Sequence, residues 1–269
     1  MRSVAREPAW CYEMNGAQLL AAHAHRHVVF EGARNVRDLG GLATREGGIT
    51  RHGVIYRSDS WSNLSARDLA RVTTLNVRTV VDFRTEDERA RAPDRLPDAA
   101  PPAVHARGFY PRGNYEMIAD INAGVLDSPT AHANMLEQYR RLALDHCAIY
   151  RELIEILLTP QTTPLVFHCA SGKDRTGVAA AVILLAVGVA PSLVLEDYVI
   201  SNYQRRAVNL FGAAPQNPAV EQVMSAVREY LEHALQAMQQ VYGSFDGYLT
   251  DAIGLDRATQ ARLKTLLVA

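Results

Sequence analysis

The chain has 269 residues, 48% of them apolar and 21% charged, which is enough to bury a large core within one domain of the upper usual size. Its 28 basic and 29 acidic residues leave a formal net charge of −1, which excludes a general attraction to nucleic acid or to an anionic membrane. Any anion recognition must therefore be local. Three scattered cysteines, Cys11, Cys147 and Cys169, exclude a disulfide framework and suggest reduced thiols.

The first ten residues are mixed and charged, without the apolar stretch of a secretory signal. The expected location is cytoplasmic, with export by a route lacking a cleaved signal left open. His23-Ala24-His25-Arg26-His27 would put three imidazoles on one face if extended. Such a pattern can bind metal and resembles the early strand of metal-dependent amidohydrolases, but the remaining histidines supply no further ligand pattern. A solvated strand face is the better reading. Gly48 to Asp59 reads as a strand pair leading into Val54-Ile55-Tyr56. Ser65 is an N-cap for a helix carrying Leu69, Val72 and Leu75. Val77 to Phe83 is a β-branched run that predicts a buried strand, followed by a helical segment over Thr85 to Arg91. Val104 to Phe109 follows as another strand.

Residues 110–130 are poorly patterned, contain Gly113, Gly124 and Pro129, and read as an irregular segment that could serve as a lid. Helical periodicity covers Ala131 to Leu158, and Pro164 to His168 is a short strand. The longest apolar run, Val178 to Ala190, falls short of the roughly 20 residues that span a bilayer and reads as a buried helix. Helical patterns then fill Pro191 to Arg205, Pro218 to Val241, Ser244 to Ile253 and Asp256 to Leu267. Strands alternating with helices predict an α/β fold. It has a mostly parallel central sheet flanked by helices, a helix-rich C-terminal half, and a single domain over residues 1–269.

The chemistry is concentrated in His168-Cys169-Ala170-Ser171-Gly172-Lys173-Asp174-Arg175-Thr176-Gly177. A buried strand ending at His168, a tight loop and a helix starting near Arg175 would aim the N–H groups of Ala170 to Arg175 at one point. The positive end of the helix adds to the same point. Gly172 allows the sharp turn, and Gly177 close packing of helix on strand. Arg175 offers a planar fork for two phosphate oxygens, and the positive surroundings favour the thiolate of Cys169 at neutral pH. A thiolate beneath a phosphate can attack in line and form a phosphocysteine that water hydrolyses. Thr176 can donate its hydroxyl to the sulfur, and His168 can orient the cysteine backbone from behind. The chemistry calls for no metal and no cofactor.

The run resembles the Cys-x5-Arg signature of the protein tyrosine phosphatase superfamily. Its Gly-Lys-Asp-Arg-Thr-Gly core resembles the bacterial tyrosine/lipid-phosphatase-like branch typified by the mycobacterial secreted tyrosine phosphatase B. Asn35 to Gly41, Tyr56 to Asp59, Asp82 to Glu86 and Tyr242 to Leu255 are similar to that branch as well. The resemblance implies a phosphatase fold with activity on phosphotyrosine, extending to phosphoserine, phosphothreonine and phosphoinositides. The partner is then a phosphorylated protein or phosphoinositide, and a monomer is the favoured state.

Of the 28 basic residues only Lys173 and Lys264 are lysines, so a lysine inside the phosphate loop suggests a wanted point charge. A second phosphate on an inositol ring would be its partner; the plainer reading is added charge in the cup. The Trp-Pro-Asp tripeptide that usually supplies the general acid is absent. Asp174, matching the aspartate that this branch is thought to use, stands first. Asp82 stands second, with pairing to Arg84 as an equally good account of it. The competing function is a catalytically silent module that holds phosphorylated ligands. A rhodanese-like sulfurtransferase stands well behind, because its loop is shorter. Silent relatives usually lose the nucleophile or the arginine, and Cys169 and Arg175 are both present.

Overall fold

A computed structural model of the chain describes residues 15–109, 114–204 and 217–269. Cys11 lies outside the described residues. Five short strands form the central sheet: β1 (Arg37–Asp38), β2 (Ile55–Ser58), β3 (Thr79–Asp82), β4 (Ala103–Ala106) and β5 (Leu165–His168). Their order is β1-β2-β5-β3-β4, with β2, β5, β3 and β4 parallel and β1 antiparallel at the edge. This is the mostly parallel sheet that the strand–helix alternation predicts.

The helices are α1 (Gly16–His23), α2 (Ala66–Thr74), α3 (Glu86–Arg91), α4 (Asn114–Asn122), α5 (Ser128–Asp145), α6 (Cys147–Leu158) and α7 (Asp174–Ala186). They continue with α8 (Pro191–Val199), α9 (Ser201–Gln204), α10 (Val220–Met224), α11 (Arg228–Tyr242), α12 (Phe245–Gly247) and α13 (Arg257–Leu267). Several begin where local chemistry demands. Ser65 and Thr85 each accept from the N–H three residues on, while Asp68 and Glu88 answer back to the cap N–H, closing capping boxes on α2 and α3.

Alternation along the strands divides the core in two. Tyr56, Val80 and Val166 face a smaller cluster with Val28, Phe30, Trp61 and Val72. Ile55, Val81, Leu165 and Phe167 face the main cluster with α4, α5, α6, α7, α8, α11 and α13. All of α7 is buried, because it lies between the sheet and the outer helices; an apolar helix without a polar face suits only such a place. Among the described residues no helix is long and apolar enough to cross a membrane.

Three local expectations change. The described part of the 110–130 segment, residues 114–130, is largely helical rather than irregular: α4 runs from Asn114, and α5 starts at Ser128 behind an Asp127 cap with Pro129 in its first turn, where proline costs no hydrogen bond. The 131–158 helix is two helices divided at His146. His23 to His27 is no strand. His23 ends α1, Ala24–Arg26 forms a 3₁₀ turn, and the turn buries His23 and Arg26 while leaving His25 and His27 exposed.

The register places the functional loops. Ser58, His168 and Asp82 lie side by side at the carboxyl ends of β2, β5 and β3. Chain leaving these three strands converges on one crevice, the usual ligand position on an open parallel sheet.

Candidate active site

Cys169 follows β5 directly and is 1% exposed, at the base of the loop that leads into α7. The loop is held from outside by its carbonyls. Ser60 N–H donates to Ala170 O (3.1 Å), Asn35 Nδ2 to Ser171 O (3.1 Å) and Arg57 NH2 to Gly172 O (2.7 Å). Its N–H groups are left over. Among the described residues none of the six from Ala170 to Arg175 has an acceptor, an anion-binding arrangement at the first turn of a 13-residue helix. Gly172 adopts φ +67°, and a Cβ there would come within 2.5 Å of Ser58 O, so both its backbone and the strand end next to it require glycine. Gly177 is close-packed too, first against the Tyr198 ring of α8 and next against the Arg57 side chain of β2.

Arg175 is 4% exposed and fixed on one edge. NH1 and NH2 each lie 2.7 Å from a Glu88 oxygen, and NH1 also donates to Phe83 O and Phe109 O. Burial alone would raise the Glu88 carboxyl, but the guanidinium outweighs it and holds Glu88 below the ordinary carboxylate range. Nε and the second NH2 proton share the opposite edge of the guanidinium. That edge has no partner among the described residues and matches two oxygens of a phosphate.

With the cysteine, the bare N–H groups and the free guanidinium edge in one place, the match to known proteins takes a definite meaning. Residues 28–269 fit the family described as "Tyrosine phosphatase family". The chain belongs to that family. A Cupriavidus necator protein assigned by name to the tyrosine-protein phosphatases (H16_A0669) is 36% identical over 249 residues, 87% of this chain and 86% of that one. The triple specificity protein phosphatase PtpB of Mycobacterium tuberculosis is 27% identical, covering 88% and 97% of the two chains.

In this tyrosine phosphatase the support behind the cysteine starts from His168. Its Nδ1 lies 3.2 Å from Cys169 O, to which it can only donate, and its ring stacks on Trp61 at an interplanar angle of 7°. Nε2 lies 3.0 Å from Asp94 Oδ2, an ion-pair contact whose N–H is not aimed along a hydrogen bond. Burial would lower the pKa of the imidazole, but Asp94 outweighs it and raises it above the ordinary value, which favours the charged ring. The sign follows: its contribution to stability is full below pH ~6.5 and fades as pH rises through the higher folded value. Asp94→Asn should therefore destabilise the phosphatase at pH 6 and progressively less above neutrality. Melting curves of both forms from pH 5.5 to 9 check this; a gap that does not change with pH would show that the pair is uncharged.

The aspartates separate. Both oxygens of Asp82 are held by Arg84, at 2.7 to 3.1 Å, and the residue is 1% exposed. That is the structural alternative foreseen for it. Asp82, Asp94 and His168 are close enough to resemble a metal cluster, but Arg84 NH2 lies 2.7 Å and 2.8 Å from the two carboxylates, so a cation already occupies the position. Asp174 sits at the mouth of the loop as the first residue of α7. Oδ1 accepts from Tyr139 OH at 2.6 Å and lies 3.2 Å from Lys173 Nζ, whereas among the described residues Oδ2 has only Asn114 Nδ2 at 3.4 Å.

Lys173 is oriented differently from what its place in the loop suggests. Its ammonium donates to Val223 O (2.6 Å) and Ser225 O (3.1 Å) at the end of α10 and pairs with Asp174. The two carbonyl contacts are hydrogen bonds, and the contact with Asp174 is an ion pair. The loop position of Lys173 is legible in the sequence, but its partners come from 50 and 52 residues downstream. Thr176 Oγ1 is buried without a partner among the described residues, a donor still free for the sulfur. Cys147 contacts Ala143 O, Leu144 O and Tyr248 OH, and burial pushes its thiol up, as suits an inert cysteine.

Residues that sequence reading missed form the support. Glu88 was visible only as the fourth residue of Thr85-Glu86-Asp87-Glu88, a capping pattern that explains α3 without pointing to Arg175. Behind the loop, Asp197 of α8 accepts from Arg26 NH2 (2.5 Å), Arg37 Nε (3.0 Å) and Arg57 NH1 (2.5 Å). This buried cluster accounts for the Asn35-Val36-Arg37 and Tyr56-Arg57 segments: Arg37 holds Asn35, and Asn35 and Arg57 hold the loop.

Proposed function

We propose that the chain hydrolyses phosphoric monoesters through a phosphocysteine at Cys169, with phosphotyrosine as the first substrate. The observation that carries this reading is the set of six N–H groups and the one edge of Arg175 that have no partner among the described residues around the cysteine. In the first step Cys169 Sγ attacks phosphorus, the bond to the leaving oxygen breaks, and Asp174 protonates that oxygen. In the second, Asp174 takes a proton from water, water attacks phosphorus, and the thiolate leaves with help from Thr176. A silent binding module would need none of the acid's placement beside the cup.

The M. tuberculosis relative is named for triple specificity, which supports a substrate range wider than phosphotyrosine. Phosphoserine and phosphothreonine peptides and a phosphoinositide panel are the assays that define it. The occupied ammonium of Lys173 bears on the lipid arm. Two of its three protons are given to carbonyls and its charge is paired with Asp174, so Lys173→Ala is expected to lower kcat/KM for a phosphoinositide and for a phosphotyrosine peptide in similar proportion. A loss at least ~10-fold greater for the lipid would return Lys173 to the role of second-phosphate ligand. Residues 110–130, with α4 in them, remain the proposed entrance, because Asn114 reaches Asp174.

A further inference from the structure

Among the described residues Asp174 is held far more closely on Oδ1 than on Oδ2. Tyr139 OH stands 2.6 Å from Asp174 Oδ1 and 2.6 Å from Tyr198 OH. Both tyrosines are buried, on α5 and α8, and burial pushes both phenols far above their ordinary pKa, with the Asp174 charge adding to the effect. They stay protonated at any working pH. Tyr139 has one proton, and a carboxylate oxygen can only accept, so that proton goes to Oδ1. Tyr198 must then donate its own proton to the Tyr139 oxygen. The result is a directed relay of two hydroxyls ending on one oxygen of one carboxylate. Lys173 Nζ meets the same oxygen.

We infer that Tyr139, backed by Tyr198, is a positioning residue for the general acid. By occupying Oδ1 it leaves Oδ2 as the atom that carries and delivers the proton to the leaving group. The inference rests on Asp174 being the acid. The groups that face this carboxylate are Tyr139 from α5, Tyr198 and Tyr230 behind it from α8 and α11, Asn114 from α4, and Lys173 and Arg175 from its own loop and helix. Only the Tyr139 contact is both short and neutral, so its removal changes the hydrogen bonding of Asp174 without changing the net charge.

A hydrogen bond to the ionised form favours that form. Without the Tyr139 hydroxyl the proton is held more tightly, so the limb on which activity falls with rising pH should move to higher pH. The experiment measures kcat/KM against pH for an alkyl phosphate, which needs a proton on its leaving oxygen, and for p-nitrophenyl phosphate, which needs little. The forms are wild type, Tyr139→Phe, Asp174→Asn and the double variant. Asp174→Asn should lose roughly 10²–10⁴-fold on the alkyl ester alone, the usual contribution of a general acid. Tyr139→Phe should lose about 10-fold on the alkyl ester and less than about 2-fold on the aryl ester, with the alkaline limb displaced upward. In the Asp174→Asn background it should add no further selective loss, because its action passes through the carboxylate.

If Asp174→Asn is selective while Tyr139→Phe lowers both esters equally with an unmoved limb, Tyr139 is merely structural and the inference falls while the acid assignment stands. If Asp174→Asn loses both esters equally, the acid assignment fails and takes the inference with it. Should Tyr139→Phe not fold, Tyr198→Phe decides. It keeps both rings and the Tyr139 hydroxyl, and it should produce the same selectivity and limb displacement at about 3-fold; an unmoved limb would overturn the inference.

Discussion

Cys169→Ser should reduce turnover of an aryl phosphate by at least ~10⁴-fold, since a hydroxyl in the same position has neither the charge nor the nucleophilicity of a thiolate. The loss should be confined to chemistry. In the proposed site phosphate is bound by the backbone N–H groups of residues 170–175 and the edge of Arg175 left without a partner among the described residues, and serine disturbs none of them. The variant should therefore still be stabilised by inorganic phosphate or vanadate, with a rise in Tm that grows with ligand concentration. The sulfur is buried at the end of β5, so the substitution also removes little packing. Steady-state kinetics with p-nitrophenyl phosphate, together with melting curves in phosphate, separate the two effects. Turnover surviving in Cys169→Ser, combined with abolition by EDTA in the wild type, would mean a metal-dependent hydrolase.

The second large effect is expected far from the sulfur. Asp197→Asn should lower stability by roughly 3–5 kcal/mol, because it leaves Arg26, Arg37 and Arg57 buried without a counter-charge. In a chain of this size that amounts to a fall in Tm on the order of 10 °C. Even with the carboxylate present the three guanidiniums strain against one another: burial and the neighbouring Arg57 push Arg37 down to about 9. Burial would raise the Asp197 carboxyl, but the arginines outweigh it and hold it well below its ordinary value. Its contribution is thus full above pH ~4 and is lost as pH falls through that value toward the lower folded one. The gap between wild type and variant should be largest near neutrality and close in acid.

The cluster also reaches the loop, since Arg57 holds Gly172 O and Arg37 holds Asn35 against Ser171 O. Stabilisation by phosphate should accordingly shrink in Asp197→Asn. A lower Tm with undiminished phosphate stabilisation would confine the cluster to folding.

What the sequence by itself determined is local. A strand, a glycine turn and a helix N-terminus within residues 165–177 bring Cys169 and Arg175 to the two ends of one loop, the proposed anion site. All the geometry needed there spans a dozen residues, and each step has a residue preference of its own. The same holds for the capping boxes of α2 and α3 and for α7, whose uniform apolarity admits only a buried position. The four parallel strands were legible as β-branched or apolar runs, although their order was not, because order depends on which edges meet after the helices fold back.

The tertiary structure alone decided which charges face which. As acids Asp174 ranks first and Asp82 second in the sequence, with pairing to Arg84 as an equal account of Asp82; the folded chain gives Asp82 to Arg84 and brings Tyr139, 35 residues away, to Asp174. Lys173 looks like a substrate ligand until α10 brings two carbonyls to it. Glu88 meets Arg175 across 87 residues, and Asp197 meets Arg37 across 160. Helical and strand periodicities report which face of an element is buried, and they carry no record of partners at such separations. A buried charge must find its counterpart wherever the chain brings one, because the cost of leaving it unpaired exceeds any local preference.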